Sequence, residues 1–117
     1  VSKELIALIS KAYQQGKIVA AVCHGPAGLV NAKTALGEPI VKGKRITGFT
    51  NSEEDAAGLT DKMPFLLETR LRELGGIFEN KDNFKSHAVR DGTLITGQNP
   101  ASSEAVAELV LKALKTP

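Results

Sequence analysis

Lys17-Ile18-Val19-Ala20-Ala21-Val22-Cys23-His24-Gly25-Pro26-Ala27 is the stretch whose reading decides the fold of this chain. Ile18 to Val22 is an unbroken apolar run, the pattern of a central parallel strand covered on both faces. Small residues then surround Cys23 and His24, and Pro26 stands where the first turn of a helix accepts proline. The order strand, sharp turn, helix puts Cys23 at the corner. Such a corner has the form of a nucleophile elbow, with cysteine where serine-type hydrolases place serine. Bulky flanking side chains would clash in so tight a turn, which is the physical sense of the alanines and glycine around the pair.

Outward from the elbow, strands and helices alternate. Leu5, Ile9 and Tyr13, with Leu8 and Ala12 beside them, give an amphipathic helix over Ser2 to Tyr13 that Gly16 terminates. Downstream, Pro39 to Phe49 reads as a second strand region with a turn at Lys42-Gly43. Thr50 to Glu54 reads as a helix start, Asp61 as the cap of a helix over Pro64 to Leu74, and Ile77-Phe78 as a short strand. Asp91-Gly92, between Ala88-Val89 and Thr93 to Thr96, is the strongest hairpin signal. Ser102 or Ser103 caps a last helix through Leu114. This alternation predicts a layered α/β fold in one domain over residues 1–117. Only one long apolar strand is present. The neighbours of Lys17 to Val22 are therefore expected from outside these residues, from an N-terminal portion of the same domain or from a second polypeptide.

Composition narrows the function classes. Of 117 residues, 42% are hydrophobic and 24% charged, as in ordinary globular domains. No run approaches the roughly 20 apolar residues that span a bilayer, so no membrane partner and a cytoplasmic location are expected. The net charge of +2 is scattered, without a basic run, and aromatics are only 4%, which gives no support to nucleic-acid binding. One cysteine and two histidines offer no metal-ligand spacing, and no metal site is expected. A lone cysteine is ordinarily a small buried hydrophobe. The adjacent histidine and the strand–turn–helix setting point instead to reactivity.

In that setting Cys23 is the nucleophile, His24 the base, and the His24 backbone N–H an oxyanion donor. A helix N-terminus behind the elbow predicts a depressed Cys23 pKa. An orienting acid is open on local spacing, because Thr50 with Glu53 and Asn51 with Glu54 each make a sound capping arrangement. His87 reads as a surface or edge histidine, and Gly97-Gln98-Asn99-Pro100 as a turn into the last helix.

Ala20 to Ala27 (AAVCHGPA), Val41 to Thr50 (VKGKRITGFT) and Leu94 to Ser103 (LITGQNPASS) together resemble the ThiJ/PfpI superfamily, also called class I glutamine amidotransferase-like proteins. Within it they are most similar to the glyoxalase III and heat-shock chaperone branch. The resemblance covers essentially all of residues 1–117 and corresponds to the C-terminal part of a single such domain. It implies a flavodoxin-like three-layer sandwich with a parallel sheet, Cys23 at the elbow, and Glu54 as the acid that orients His24, with Glu53 as the fallback. It implies cofactor-independent conversion of methylglyoxal or another small 2-oxoaldehyde to a 2-hydroxy acid through a cysteine hemithioacetal, by a homo-oligomer. Alternatives are a deglycase or peptidase-type cysteine hydrolase, and a stress chaperone or redox sensor. A strand glutamate beside the thiol and a glycine-rich loop giving a second oxyanion N–H are also expected of the family, and no segment of this sequence matches them.

Overall fold

The computed structural model describes residues 2–115. Helix α1 (Lys3–Gln14) opens at Ser2, whose Oγ accepts the Leu5 N–H at 3.2 Å. It closes at Gly16, with φ of 76°. There the Gly16 N–H donates to Tyr13 O and the Lys17 N–H to Ala12 O, both at 3.0 Å, the paired bonds of a glycine-terminated helix. Strand β1 (Val19–Val22) comes directly after.

β1 pairs in parallel with β5 (Leu94–Gly97), Val19 opposite Leu94 and Val22 opposite Gly97. β5 pairs antiparallel with β4 (Ala88–Asp91), so the strand order is β1-β5-β4. The hairpin loop is Gly92-Thr93, one residue beyond the pair that predicts it, with Gly92 at φ 63° in the first loop position. β2 (Arg45–Ile46) and β3 (Ile77–Phe78) form a second, parallel pair. It is tied to the hairpin by the Arg45 N–H on Asp91 Oδ2 at 2.8 Å and the Thr47 N–H on Thr96 Oγ1 at 3.0 Å.

Every residue of β5 is buried. Leu94 enters a core with Leu29, Ile40, Val41, Ile46 and Leu71, against which Ile9 and Tyr13 of α1 pack. Ile95 enters a second core with Val106 and Ala113 of α4 (Ser103–Lys115). Successive side chains of a strand point to opposite faces, so this one strand feeds two cores and the sheet lies between two helical layers. That is the three-layer arrangement expected. Among the described residues no helix is long and apolar enough to cross a membrane.

Four local expectations are corrected. Ile40 and Val41 are buried in turns, with Lys42 N–H on Pro39 O and Lys44 N–H on Val41 O, and only Arg45–Ile46 is strand. Burial through a turn uses the same apolar residues that a strand would. Asp61 lies in a 3-10 turn (Thr60–Lys62), while α3 (Leu67–Glu73) starts later without a side-chain cap. Asn99, rather than Ser102 or Ser103, caps the 3-10 turn (Pro100–Ser102) that runs into α4. Finally, one neighbour of β1, strand β5, lies within these residues rather than outside them, and the other side of β1 is open among the described residues, with Ala20 exposed. Beside it opens an apolar groove of about 730 Å³ lined by Ile18, Ala20, Val110 and Leu114.

Candidate active site

The elbow forms as a strained turn. Cys23 has φ of 63°, in the left-handed region, which costs a non-glycine residue of order 1 kcal/mol and persists only where the surroundings fix it. Both of its backbone polar groups are held: Cys23 N–H donates to Gly97 O, and Phe49 N–H donates to Cys23 O, each at 2.9 Å. Glycines let these segments meet. A Cβ on Gly97 would stand 2.5 Å from a Val106 methyl, and one on Gly48 would stand 3.0 Å from Leu67.

His24 Nδ1 lies 3.6 Å from Cys23 Sγ, and its Nε2 lies 2.9 Å from Glu54 Oε2. A carboxylate accepts, so Nε2 carries the ring proton and Nδ1 presents its lone pair to sulfur. Phe49 packs on the imidazole at 4.4 Å between ring centres. The His24 side chain is 37% exposed and the Glu54 side chain 1%, so the ring bridges solvent and a buried acid. The remaining Glu54 oxygen, Oε1, is buried without a hydrogen-bond partner in the protein.

Glu53 and Glu54 both sit in the first turn of α2 (Asn51–Ala57). Glu53 closes a capping box: Thr50 Oγ1 accepts the Glu53 N–H, and Glu53 Oε1 accepts the Thr50 N–H, each at 3.0 Å. Its Oε2 accepts from Phe84 N–H at 2.7 Å and from Asn99 Nδ2 at 2.8 Å. Burial works to raise the Glu53 pKa, but these bonds outweigh it and hold the carboxyl below its ordinary value. The capping acid and the acid on His24 are therefore different residues.

The expected depression of the Cys23 pKa is reversed. Burial pushes the thiol up, Glu53 and Glu54 add to the rise, and the His24 backbone N–H on the sulfur pulls the other way. The expected depression rests on an α-helix after the elbow. The chain instead enters a 3-10 turn of five residues, Gly25–Leu29, a much weaker dipole than a full helix, with two carboxylates nearby.

Phe49, Phe84, Gln98 and Asn99 are site residues that sequence reasoning misses. Asn99 carries a local signal, an Asn-Pro cap with Ser102 three residues on, but its bond to Glu53 spans 46 residues. His87 directly precedes the edge strand β4, an edge histidine that is half-buried; burial lowers its pKa, and its Nε2 has no protein partner. Among the described residues no group of three or more histidine, cysteine, aspartate or glutamate side chains could hold a metal.

The profile of the DJ-1/PfpI family, the family of the ThiJ/PfpI resemblance, matches residues 1–113. This chain belongs to the DJ-1/PfpI family. Among curated DJ-1/PfpI relatives, glyoxalase 3 of Candida albicans is 38% identical over 97% of this chain and 51% of its own length. The glutathione-independent glyoxalase HSP31 of Saccharomyces cerevisiae has the same identity and the same two coverages. The crystal structure of glyoxalase III from Candida albicans superposes with a TM-score of 0.87 at 37% identity, over 95% of this chain and 49% of that one. The chain thus spans about half the length of the curated relatives it matches.

Proposed function

We propose that this chain carries the nucleophile of a glutathione-independent glyoxalase that converts methylglyoxal, or another small 2-oxoaldehyde, to the 2-hydroxy acid without metal or organic cofactor. The observation that carries this reading is the row Cys23 Sγ, His24 Nδ1, His24 Nε2, Glu54 Oε2, with separations of 3.6 Å and 2.9 Å across the imidazole. The names of the relatives supply the substrate class.

His24 Nδ1 takes the thiol proton, and Glu54 balances the imidazolium. The sulfur electron pair forms a C–S bond to the aldehyde carbon while the carbonyl pair moves onto oxygen, beside the His24 backbone N–H. Protonation of that oxygen gives a hemithioacetal. His24, the base that this chain supplies, then removes the proton on the same carbon. The resulting enediolate takes a proton at the neighbouring carbon and becomes a thioester. Water cleaves the C–S bond and restores the thiol, so the net change is addition of one water to the 2-oxoaldehyde.

The open side of β1 supports a structural part of the proposal. An unpaired strand edge beside an apolar groove is a surface that proteins cover, and a further segment of the same domain is its proposed occupant. We assign the whole to the cytoplasm as a homo-oligomer. The test is formation of 2-hydroxy acid from methylglyoxal by the full-length protein, with glutathione omitted. Cys23→Ala should abolish it; activity that survives this change, or that requires glutathione, would sink the proposal.

A further inference from the structure

Outside the elbow, Phe84 has the one positive φ of a non-glycine residue among the described residues, 60°. A bulky side chain in that region is unfavourable and persists only where its surroundings over-determine it. Here they do. Phe84 N–H is held by Glu53 Oε2 at 2.7 Å, Asn99 Nδ2 holds Lys85 O at 2.7 Å, and the Gln98 amide grips both the N–H and the carbonyl of Lys81, at 2.8 and 3.1 Å. Glu53, Gln98 and Asn99 are all fully buried. Three buried polar side chains thus fix one exposed loop.

What this fixing displays is a phenyl ring that is 45% exposed. It stands edge-on to Phe49, 5.8 Å between centres, and Phe49 in turn packs on His24. A ring so exposed adds little to the core, so core packing does not account for a backbone held in an unfavourable conformation. Its place, one ring away from the imidazole that faces the thiol, does.

We propose that Phe84 is a wall of the substrate site that selects the group on the keto carbon of the 2-oxoaldehyde, favouring apolar and flat substituents, and that Glu53 is the positioning residue that holds it there. The proposal rests on the glyoxalase reading for its substrate class. An aromatic ring attracts such a group through area and through edge or offset stacking, and it offers nothing to a hydrogen atom in the same place.

The experiment compares kcat/KM for glyoxal, methylglyoxal and phenylglyoxal in the full-length protein. Phe84→Ala should lower the phenylglyoxal-to-glyoxal ratio roughly tenfold, through KM rather than kcat. Phe84→Gly removes the ring while suiting the left-handed backbone, so the same drop there cannot be misfolding. Glu53→Gln should move the ratio in the same direction, and less. Equal losses for all three substrates, or an unchanged ratio in both Phe84 variants, overturn the proposal. If no 2-oxoaldehyde is turned over, the glyoxalase reading fails, and the wall is then read from alkylation of Cys23. The rate with phenacyl bromide relative to iodoacetamide should fall several-fold in Phe84→Gly, and an unchanged ratio sinks the wall as well.

Discussion

Glu53 and Glu54 are chain neighbours, 0% and 1% exposed, in the first turn of the same helix, and they serve opposite ends of the site. Consecutive helical residues point about 100° apart, so one faces the loop of Phe84 and the other faces the elbow. Glu53 accepts from Thr50, Phe84 and Asn99 and closes a network. Glu54 meets His24 through one oxygen and leaves the other without a protein partner. Saturation fixes structure. A half-saturated carboxylate is tuned to its single partner, and its charge gains most in value when that partner becomes a cation.

If that contrast is right, the largest effect belongs to Glu54→Gln. It keeps shape and removes the charge behind the imidazole. Turnover of the full-length protein should fall roughly 10²-fold or more, while stability falls by no more than about 1 kcal/mol. A Glu53→Gln variant that loses as much turnover, with Glu54→Gln active, would invert the comparison.

Stability should respond the other way round. In Glu53→Gln an amide nitrogen must face either the Thr50 N–H or the donors of Phe84 and Asn99, so at least one buried bond is lost. Urea unfolding should report a loss of about 2 kcal/mol. A loss no larger than that of Glu54→Gln would erase the distinction.

Acid titration sharpens it further. The Glu53 pKa is lowered in the folded chain. Its contribution to stability is therefore present above the unfolded value of about 4.3 and lost as pH falls through the lower folded value. Unfolding free energy of the parent should drop more steeply below about pH 4.3 than that of Glu53→Gln; parallel curves would mean that the carboxyl gains nothing on folding.

The smallest expected effect is on the thiol. Alkylation of Cys23 should have its midpoint above about 8.5, the free-thiol value. Glu54→Gln should move it down, because one of the nearby negative charges is gone. A parent midpoint below the free-thiol value would restore the helix-dipole account.

The sequence carries the features that are local. Ser2 and Gly16 bound α1 because caps act within a turn of their own residue, and Thr50 with Glu53 announces its capping box three residues apart. The elbow is legible because small residues and a cysteine–histidine pair must be contiguous. Ile40 and Val41 mislead because apolar character records burial and not backbone shape. The direction of the thiol shift is illegible because it depends on helix type after Pro26 and on carboxylates some 30 positions on. Glu54 can be placed ahead of Glu53 only by resemblance, since both satisfy the same local capping logic, and the hold of Asn99 on Glu53 leaves no trace near either residue.

The raised Cys23 pKa has a consequence for durability. Peroxide reacts with thiolate and hardly at all with thiol, so a sulfur whose pKa is raised by burial and by two nearby carboxylates presents less thiolate to an oxidant than a free thiol does. A group that loses its proton only to a correctly seated imidazole is nucleophilic when an electrophile is already in place and inert between encounters. Peroxide should therefore convert Cys23 to sulfenic or sulfinic acid more slowly than it oxidises a free thiol at the same pH, a difference that mass spectrometry of the oxidised protein would measure.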